Sequence, residues 1–452
     1  MAARLIESLA ATEPLAEVFS DVSVLQAMLD FESALARAEA RVGIVPKSAA
    51  DRITAAAAHA NEFDIHALSV GMFRAGTPGI PVVKALIEKV RARDPEAAGW
   101  VHWGATSQDV ADTALVLLLK RAQTILGGDL ERLKKALITL SQQHKGTVML
   151  GRTLLQAAPP VTFGLKVAGW LGAVSRGSKR LETSFEEALV LQFGGASGTL
   201  ASLADKGTAV ARALAAELGL SCPEAPWHAH RDRLASFVCC CGVLTGSLGK
   251  VARDISLLMQ SEVAEVAEPG GEGRGGSSTM PHKRNPIACA LTLAAAQRVP
   301  GLVSSFLSAM VQEHERALGG WQSEWPTVAS IVQSTESAAS SLAEVAEGLS
   351  VNPARMRRNI ANTKGLIFAE RVMMLLAAQL GRDVARKLVE DTIQNSIAQN
   401  QDLSALLAEL PEVSSRLKPF ALDQLEIPEQ YLGSAEEFRE ALLHSITSSE
   451  GE

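Results

Sequence analysis

Aromatic side chains are scarce in this sequence: they make up 4% of its 452 residues, and there is a single tyrosine. A core with so few rings has to close on small side chains, and abundant alanine lets helices approach closely. Charge is also thin, at 21% of residues, and its balance is acidic, with a formal net charge of −7. Nucleic acid needs a basic face, so this balance argues against such a partner. Cysteine is limited to Cys222, Cys239, Cys240, Cys241 and Cys289. An odd number with three in a row does not make a disulfide framework, and these residues read as small apolar groups in a reducing compartment. The opening stretch MAARLIESLAATEPLAEVFS has no apolar centre of the kind a secretory leader carries. No run is expected to reach the length of a membrane span, so the expectation is a soluble cytoplasmic protein.

What is present is helical periodicity. Leu115, Leu118, Leu119, Ala122, Ile125 and Leu126 recur at spacings of three and four, followed by Leu130, Leu133, Leu137 and Leu140. This predicts a helix over 114–144, with a possible kink at Gly127-Gly128. Similar patterns cover roughly 162–192, 228–267, 286–316 and 326–349. Strand signals are nearly absent, GTVML at 146–150 being the best. Several helices are apolar all round, as in FVCCCGVLTGSLGKVARDISLLM, which suits the centre of a bundle or a face covered by another subunit. The expectation is an all-α protein with a central five-helix bundle over 101–350 and smaller helical domains at 1–100 and 351–452.

One stretch breaks the pattern. GEGRGGSSTMPHKRNP, residues 271–286, crowds glycines ahead of serine, lysine and asparagine. Asn285-Pro286 reads as a helix start, with Asn as N-cap and Pro in the first turn. The polar groups then precede a helix N-terminus, where backbone N–H groups and the dipole favour an anion. Upstream glycines would let the segment close over a substrate.

The complete string GSSTMPHKRNP resembles the signature of the fumarase/aspartase superfamily, matching each fixed position of G-S-S-x-M-P-x-K-x-N-P. HWGATSQDVADT (102–113) resembles that family's T-S-x-D segment, and GRTLLQAAPPVTFG (151–164) its T-x-x-Q-x-A-x-P segment. The resemblance implies a 20-helix homotetramer core in which the three regions, from three subunits, meet in composite sites. It implies abstraction or delivery of a proton at the carbon α to a carboxylate, without metal or cofactor. On the same ground Ser277 transfers the proton, and Lys283 and Asn285 hold the carboxylate. Thr106, Ser107, Thr153 and Gln156 match substrate-binding positions, and Ser278 and His282 are further candidates within the loop. His102, at the head of the T-S-x-D region, is weighed between a substrate contact and a cap, and Arg233 between a substrate cation and a local ion pair. Asp109 and Asp112 read as structural residues that order a helix start. His228 and His230 lack a ligand set at metal spacing, and His314, Glu315 and Arg316 read as an inter-helix polar network.

Two departures narrow the chemistry. Where many superfamily members carry a histidine and its glutamate partner, this chain has Leu154 and Ala290. A reaction without that pair suits a leaving group that needs no proton, such as a carboxylate. The 3-carboxy-cis,cis-muconate cycloisomerases, a branch that makes a lactone during protocatechuate breakdown, have such a group. LQFGGASGTLASL (191–203), PWHAHRDRLASF (226–237) and QEHERALGGWQSEW (312–325) are similar to that branch. Adenylosuccinate lyases share much of this, yet carry an arginine where Trp325 follows Glu324. A lyase acting on a succinyl adduct, a sulfonate analogue of the muconate, and a non-enzymatic relative are the other readings. The tricarboxylate partner needs cations, for which Lys283, Arg284, Arg74 and Lys84 are available.

Overall fold

The computed structural model describes residues 6, 9–270, 275, 276, 280, 283–415 and 424–449. Five helices lead, of which α2 is as long as α10 below: α1 (Glu13–Val18), α2 (Asp21–Val42), α3 (Lys47–Ala57), α4 (Ile65–Ala75) and α5 (Gly79–Arg91). The long helix α6 (Ser107–Gln143) follows, then a hairpin of β1 (Val148–Thr153) and β2 (Gln156–Thr162). Next come α7 (Phe163–Ala188), α8 (Gly207–Leu218), α9 (Asp232–Leu258), strand β3 (Val266–Ala267), α10 (Ile287–Ser308) and α11 (Gly320–Gly348). Strand β4 (Ser350–Val351) precedes α12 (Pro353–Ala361), α13 (Ala369–Leu380), α14 (Arg382–Gln399), α15 (Leu403–Glu409), α16 (Pro411–Ser414) and α17 (Ala435–Ser449). The five long helices α6, α7, α9, α10 and α11 are the ones that periodicity predicts. Helix α6 is assigned as one unbroken element through Gly127-Gly128.

The chain divides into two compact units, and each long helix contributes to both. The first unit comprises Met1–Glu131, Arg176–Gly249 and Leu291–Ser341. Its small side chains do what the composition predicts. A Cβ on Gly249 would lie 2.5 Å from the Ala296 methyl, so α9 and α10 approach as closely as glycine allows. Thr245 and Thr335 hydroxyls meet at 3.0 Å between α9 and α11. Phe185 and Phe237 join α7 to α9 with ring centroids 4.6 Å apart.

The second unit comprises Arg132–Ser175, Lys250–Ala290 and Leu342–Glu452. Val148 and Leu150 of β1 pack with Ile360, Ile367 and Phe368, so the hairpin sits on α12 and the turn after it. The C-terminal helices have a separate core of Val372, Leu376, Val389, Leu403, Leu407 and Leu425. Strand β2 is one that sequence reading misses. Pro159 and Pro160 argue against a ladder, but the strand has one partner only, and a register shift between Leu150 and Gly151 absorbs the irregularity.

One expectation is corrected. Helices α9 and α10 are both long and apolar enough to cross a membrane, by length and composition alone. The most apolar window of α9 is 56% buried within the chain, whereas that of α10 is only 17% buried. Helix α9 is thus a core helix, and α10 presents an apolar surface.

Helix α2 shows how a buried charge enters this fold. Ser20 caps it by accepting from the Ser23 N–H, and Gly43, at φ +75°, ends it. Its apolar face (Leu25, Met28, Leu29, Leu35, Ala36) also buries Glu32 and Glu39 completely. Burial, reinforced by Glu32, pushes the Glu39 carboxyl from about 4.5 up to about 9. A raised folded-state value means that its contribution to stability is full below 4.5 and is lost as pH climbs to about 9. Glu39→Gln removes that titration. In melting curves from pH 5 to pH 9 we expect the wild type to lose stability with pH more steeply than Glu39→Gln. Parallel curves would show that Glu39 does not titrate in this window.

Candidate active site

The T-S-x-D region enters α6 in the first unit, and its aspartate is an anchor rather than a reactant. Asp109 is fully buried. Its Oδ2 accepts the N–H of Thr106 at 3.0 Å and of Gly195 at 2.9 Å, while Oδ1 accepts the N–H of Gly194 at 3.0 Å. His228 Nε2 lies 2.7 Å from Oδ1, so this histidine is a partner of Asp109. Gly195 has φ +68°, and a Cβ there would come 2.9 Å from the Gly104 carbonyl oxygen, which leaves glycine as the residue for the position. Thr106 and Ser107, half-buried, thereby sit on a turn that is fixed from three sides.

One helical turn on, Asp112 builds a second buried centre. Arg231 donates to Asp112 at 2.8 and 3.0 Å and to Glu324 at 2.6, 3.0 and 3.1 Å. Trp321 Nε1 and Gln108 Nε2 donate to Asp112 as well, and Gln312 Nε2 donates to Glu324. Burial opposes the Arg231 charge, but the two carboxylates outweigh it and raise its hold on the proton. Burial also raises the Glu324 carboxyl, against the pull of Arg231. Two carboxylates on one cation leave an excess of negative charge, which the amide and indole donors offset.

His102 sits just before these anchors, with φ +60°, a conformation rarely adopted by residues other than glycine. It is no helix cap. Its Nδ1 lies 2.6 Å from Oε1 of the buried Glu32. Burial works against the imidazolium, but Glu32 and then Asp109 outweigh it, so the imidazole is raised above its ordinary value.

In the second unit, Thr153 and Gln156 are paired residues that close the β1–β2 hairpin, and both are exposed. Arg152, between them and the strand body, donates to Glu265 at 2.8 and 3.0 Å, and Asn359 Nδ2 donates to the same carboxylate at 2.8 Å. The loop itself is Leu154-Leu155, both with positive φ (51° and 65°), where asparagine and glycine are usual. Leu154 is 96% exposed on this chain, and Ala290 is exposed too. The two positions expected to form an apolar site are therefore bare on this chain.

Of the serine loop, Ser277, Ser278 and His282 lie outside the described residues. Lys283 is exposed and Asn285 half-buried, and the Asn285 N–H donates to the Gly275 carbonyl at 3.0 Å. The capping expectation is corrected here. Helix α10 begins at Ile287, and its first N–H groups at Ala288 and Cys289 donate to the Glu268 carboxylate at 3.2 and 2.9 Å. Glu268 lies three residues after Glu265. One short segment thus holds both the hairpin base and the end of the loop.

The arginines take different places. Arg233 forms a surface pair with Glu224 at 3.5 Å, and its neighbour Arg231 is the buried one. Arg316 joins an inter-helix polar network: it lies in the loop before α11 and donates from Nε to Gln108 Oε1 at 3.3 Å, Gln108 in turn donates to Asp112, and the buried Nη2 of Arg316 has no hydrogen-bond partner among the described residues. That places a further cation beside the T-S-x-D turn, which its H-E-R context did not reveal. Trp325, in place of the lyases' arginine, packs edge-on against Trp321 at 4.7 Å. No cluster of three or more metal-ligating side chains occurs among the described residues.

Comparison with known proteins gives these regions a family. A family profile described as Lyase matches residues 7–301, and one described as Adenylosuccinate lyase C-terminus matches 365–442. The chain belongs to this lyase family, the fumarase/aspartase superfamily. It is 50% identical over 430 residues to the 3-carboxy-cis,cis-muconate cycloisomerase of Pseudomonas aeruginosa, covering 95% of this chain and 94% of that one. The crystal structure of 3-carboxy-cis,cis-muconate lactonizing enzyme from Pseudomonas putida superposes with a TM-score of 0.94 at 46% identity, covering 99% of each chain. A more distant relative, at 39% identity over 95% of this chain and 92% of its own, is nitrosuccinate lyase of Streptomyces davaonensis.

The Arg231 clamp makes a quantitative expectation. Removing one partner of a buried ion pair strands the other charges, so Asp112→Ala should cost about 3–5 kcal/mol in denaturant unfolding. Arg231→Met, which strands two carboxylates, should cost at least as much. A loss under about 1 kcal/mol for both would show that the clamp does not anchor the turn.

Proposed function

We infer that this chain is a 3-carboxy-cis,cis-muconate cycloisomerase that forms 4-carboxymuconolactone. The observation that carries the reading is the complete serine-loop, T-S-x-D and T-x-x-Q set combined with an apolar Leu154/Ala290 pair, on a fold that matches the lactonizing enzyme. A carboxylate oxygen of the substrate adds to the β-carbon of a conjugated double bond. The electron pair moves to the α-carbon and its carboxylate as an enediolate, and Ser277 delivers a proton to that carbon. The trianion takes up one proton in all, which solvent returns to Ser277 after each turnover, and the lactone leaves as a dianion; no other co-reactant is needed. Lys283, Asn285 and the N–H groups near the loop hold the carboxylate that gathers charge, while Thr106, Ser107, Thr153 and Gln156 orient the others. Arg316 and His102 add positive charge beside the T-S-x-D turn. Reversal needs no acid for the leaving group, because a carboxylate departs as the anion, which accounts for the missing histidine–glutamate pair.

Assembly supports the same reading. Site residues fall on both units, Thr153 and Gln156 stand exposed, and α10 is apolar and largely bare, as expected of a homotetramer with composite sites. The domain scheme that we favour keeps 101–350 as the bundle between end domains 1–100 and 351–452. Light scattering on active protein should give four chains, and an active monomer would sink the composite site.

The direct test is an ultraviolet assay that follows loss of the 3-carboxymuconate diene, run beside a succinyl adduct to detect elimination instead. Ser277→Ala should cut turnover by roughly 10²–10⁴-fold while substrate still binds. Leu154→His should leave the stability of the isolated chain within about 0.5 kcal/mol, because the position is exposed there, and should not speed lactonisation. A large rate gain from Leu154→His with Ala290→Glu would point to a leaving group that needs a proton, and so to the lyase.

A further inference from the structure

Glu32 and His102 form a pair that the bundle does not require. Glu32 reaches His102 from α2, seventy residues earlier in the chain. Its side chain is fully buried, and among the described residues His102 is its ion-pair partner. Glu32 Oε2 and both carboxylate oxygens of Glu39, two helical turns further along α2, have no hydrogen-bond partner. Burying carboxyl oxygens unsatisfied costs stability, and a hydrophobic residue on this apolar face would avoid that cost. His102 is itself held in a strained left-handed conformation, which costs more. Two unfavourable features therefore converge on one ring, four residues before Thr106.

The charge pattern gives them a purpose. The ionisable groups acting on His102 are Glu32 and Asp109, with Glu39 behind Glu32. Asp109 is committed to His228 and three N–H groups. Glu39 is neutral near pH 7 because burial pushes it up to about 9. Glu32 thus remains as the direct partner of Nδ1, and the His102 side chain stays 19% exposed. A neutral imidazole with Nδ1–H on Glu32 would point a lone pair at an anionic substrate; an imidazolium points a donor instead.

We propose that Glu32 is a positioning residue for the reaction: it holds His102 as a cation whose Nε2–H donates to a substrate carboxylate beside Thr106 and Ser107. This rests on the cycloisomerase reading for the identity of the substrate but not for the pair itself. A compact cation fixed by a buried carboxylate reorganises little as charge grows on the substrate, which is the condition for electrostatic assistance.

The test uses the full-length protein labelled with ¹³C-histidine, with the His102 signal assigned by its loss in His102→Gln. In the wild type His102 should titrate above the ordinary imidazole value of about 6.5. In Glu32→Gln it should titrate about one unit or more lower. At pH 8 the same variant should raise KM for 3-carboxymuconate roughly tenfold or more, with a smaller change in kcat, and move the basic limb of kcat/KM to lower pH. Glu32→Asp should restore part of each effect, which mere packing support would not do. An unchanged His102 titration or an unmoved pH profile in folded Glu32→Gln overturns the proposal. If that variant does not fold, the wild type decides alone, because His102 titrating at or below the ordinary value overturns it equally. Wild-type protein that does not turn over 3-carboxymuconate at all would refute the cycloisomerase reading and the substrate role together, while a raised His102 titration would still establish the pair.

Discussion

Two buried carboxylates one helical turn apart, Asp109 and Asp112, set the constraint on which the first unit's site depends. Each is fully buried, and a carboxyl group in that interior is costly unless its oxygens are hydrogen-bonded. The need for donors draws distant segments to the start of α6. The Gly194-Gly195 backbone and His228 are brought to Asp109; Arg231 and Trp321 are brought to Asp112. Their geometry is narrow because charge-assisted bonds near 2.7–3.0 Å lose energy steeply when stretched or bent. The turn carrying Thr106 and Ser107 inherits that precision. Neither aspartate is left free, and both fix the turn that carries Thr106 and Ser107.

Part of the backbone strain falls on that turn and on the β1–β2 hairpin. Among the described residues nine non-glycine positions have positive φ; three of them, His102 in the first unit and Leu154 and Leu155 in the second, lie within or beside the sequence-matched regions. Each such residue costs on the order of 1–3 kcal/mol, so it persists only where the surroundings over-determine it. At His102 the over-determination is visible in Glu32. At the hairpin it comes from below: Arg152 ties the strand to Glu265, and β1 rests on Ile360, Ile367 and Phe368. The result is a rigid tip with two leucines presented outward, where a flexible loop would have sufficed for connection alone.

Much of this was legible in the sequence, and the failures share a cause. Periodicity located the five long helices because burial on a helix face repeats every three to four residues whatever the partner is. The motifs stand out for a similar reason, being local strings. What escaped is set by partners far along the chain. Glu32 reads as an ordinary charge on an amphipathic helix until His102, seventy residues on, is seen against it. Asn285 satisfies every local rule for a cap, yet Glu268 takes the N–H groups from seventeen residues upstream. Arg231 and Arg233 are indistinguishable in PWHAHRDR; only the positions of Asp112 and Glu324 separate the buried cation from the surface one. Strand β2 escaped because local propensity weighs its prolines, while the hairpin needs only one partnered edge.

The arrangement around α10 shows how folding and function are joined. Its N-terminus is fixed by Glu268, at the far side of the serine loop, so loop and helix start are tied at a single carboxylate. Its body is apolar yet largely bare on this chain. Leaving such a surface in water is unfavourable at about 25 cal/mol for each Å², and the loss is recovered only when another surface covers it. Whatever covers α10 therefore also restrains the helix from which the catalytic loop hangs. In the tetramer that we propose, burial of α10 and completion of the site become one event. A separated chain would lose its substrate-binding partners and, with them, the support for the loop that carries Ser277 and Lys283. In that proposed tetramer the linkage would give a physical reason for building a site from regions far apart in sequence: the apolar contacts that hold such an assembly together would also hold the reacting groups in place.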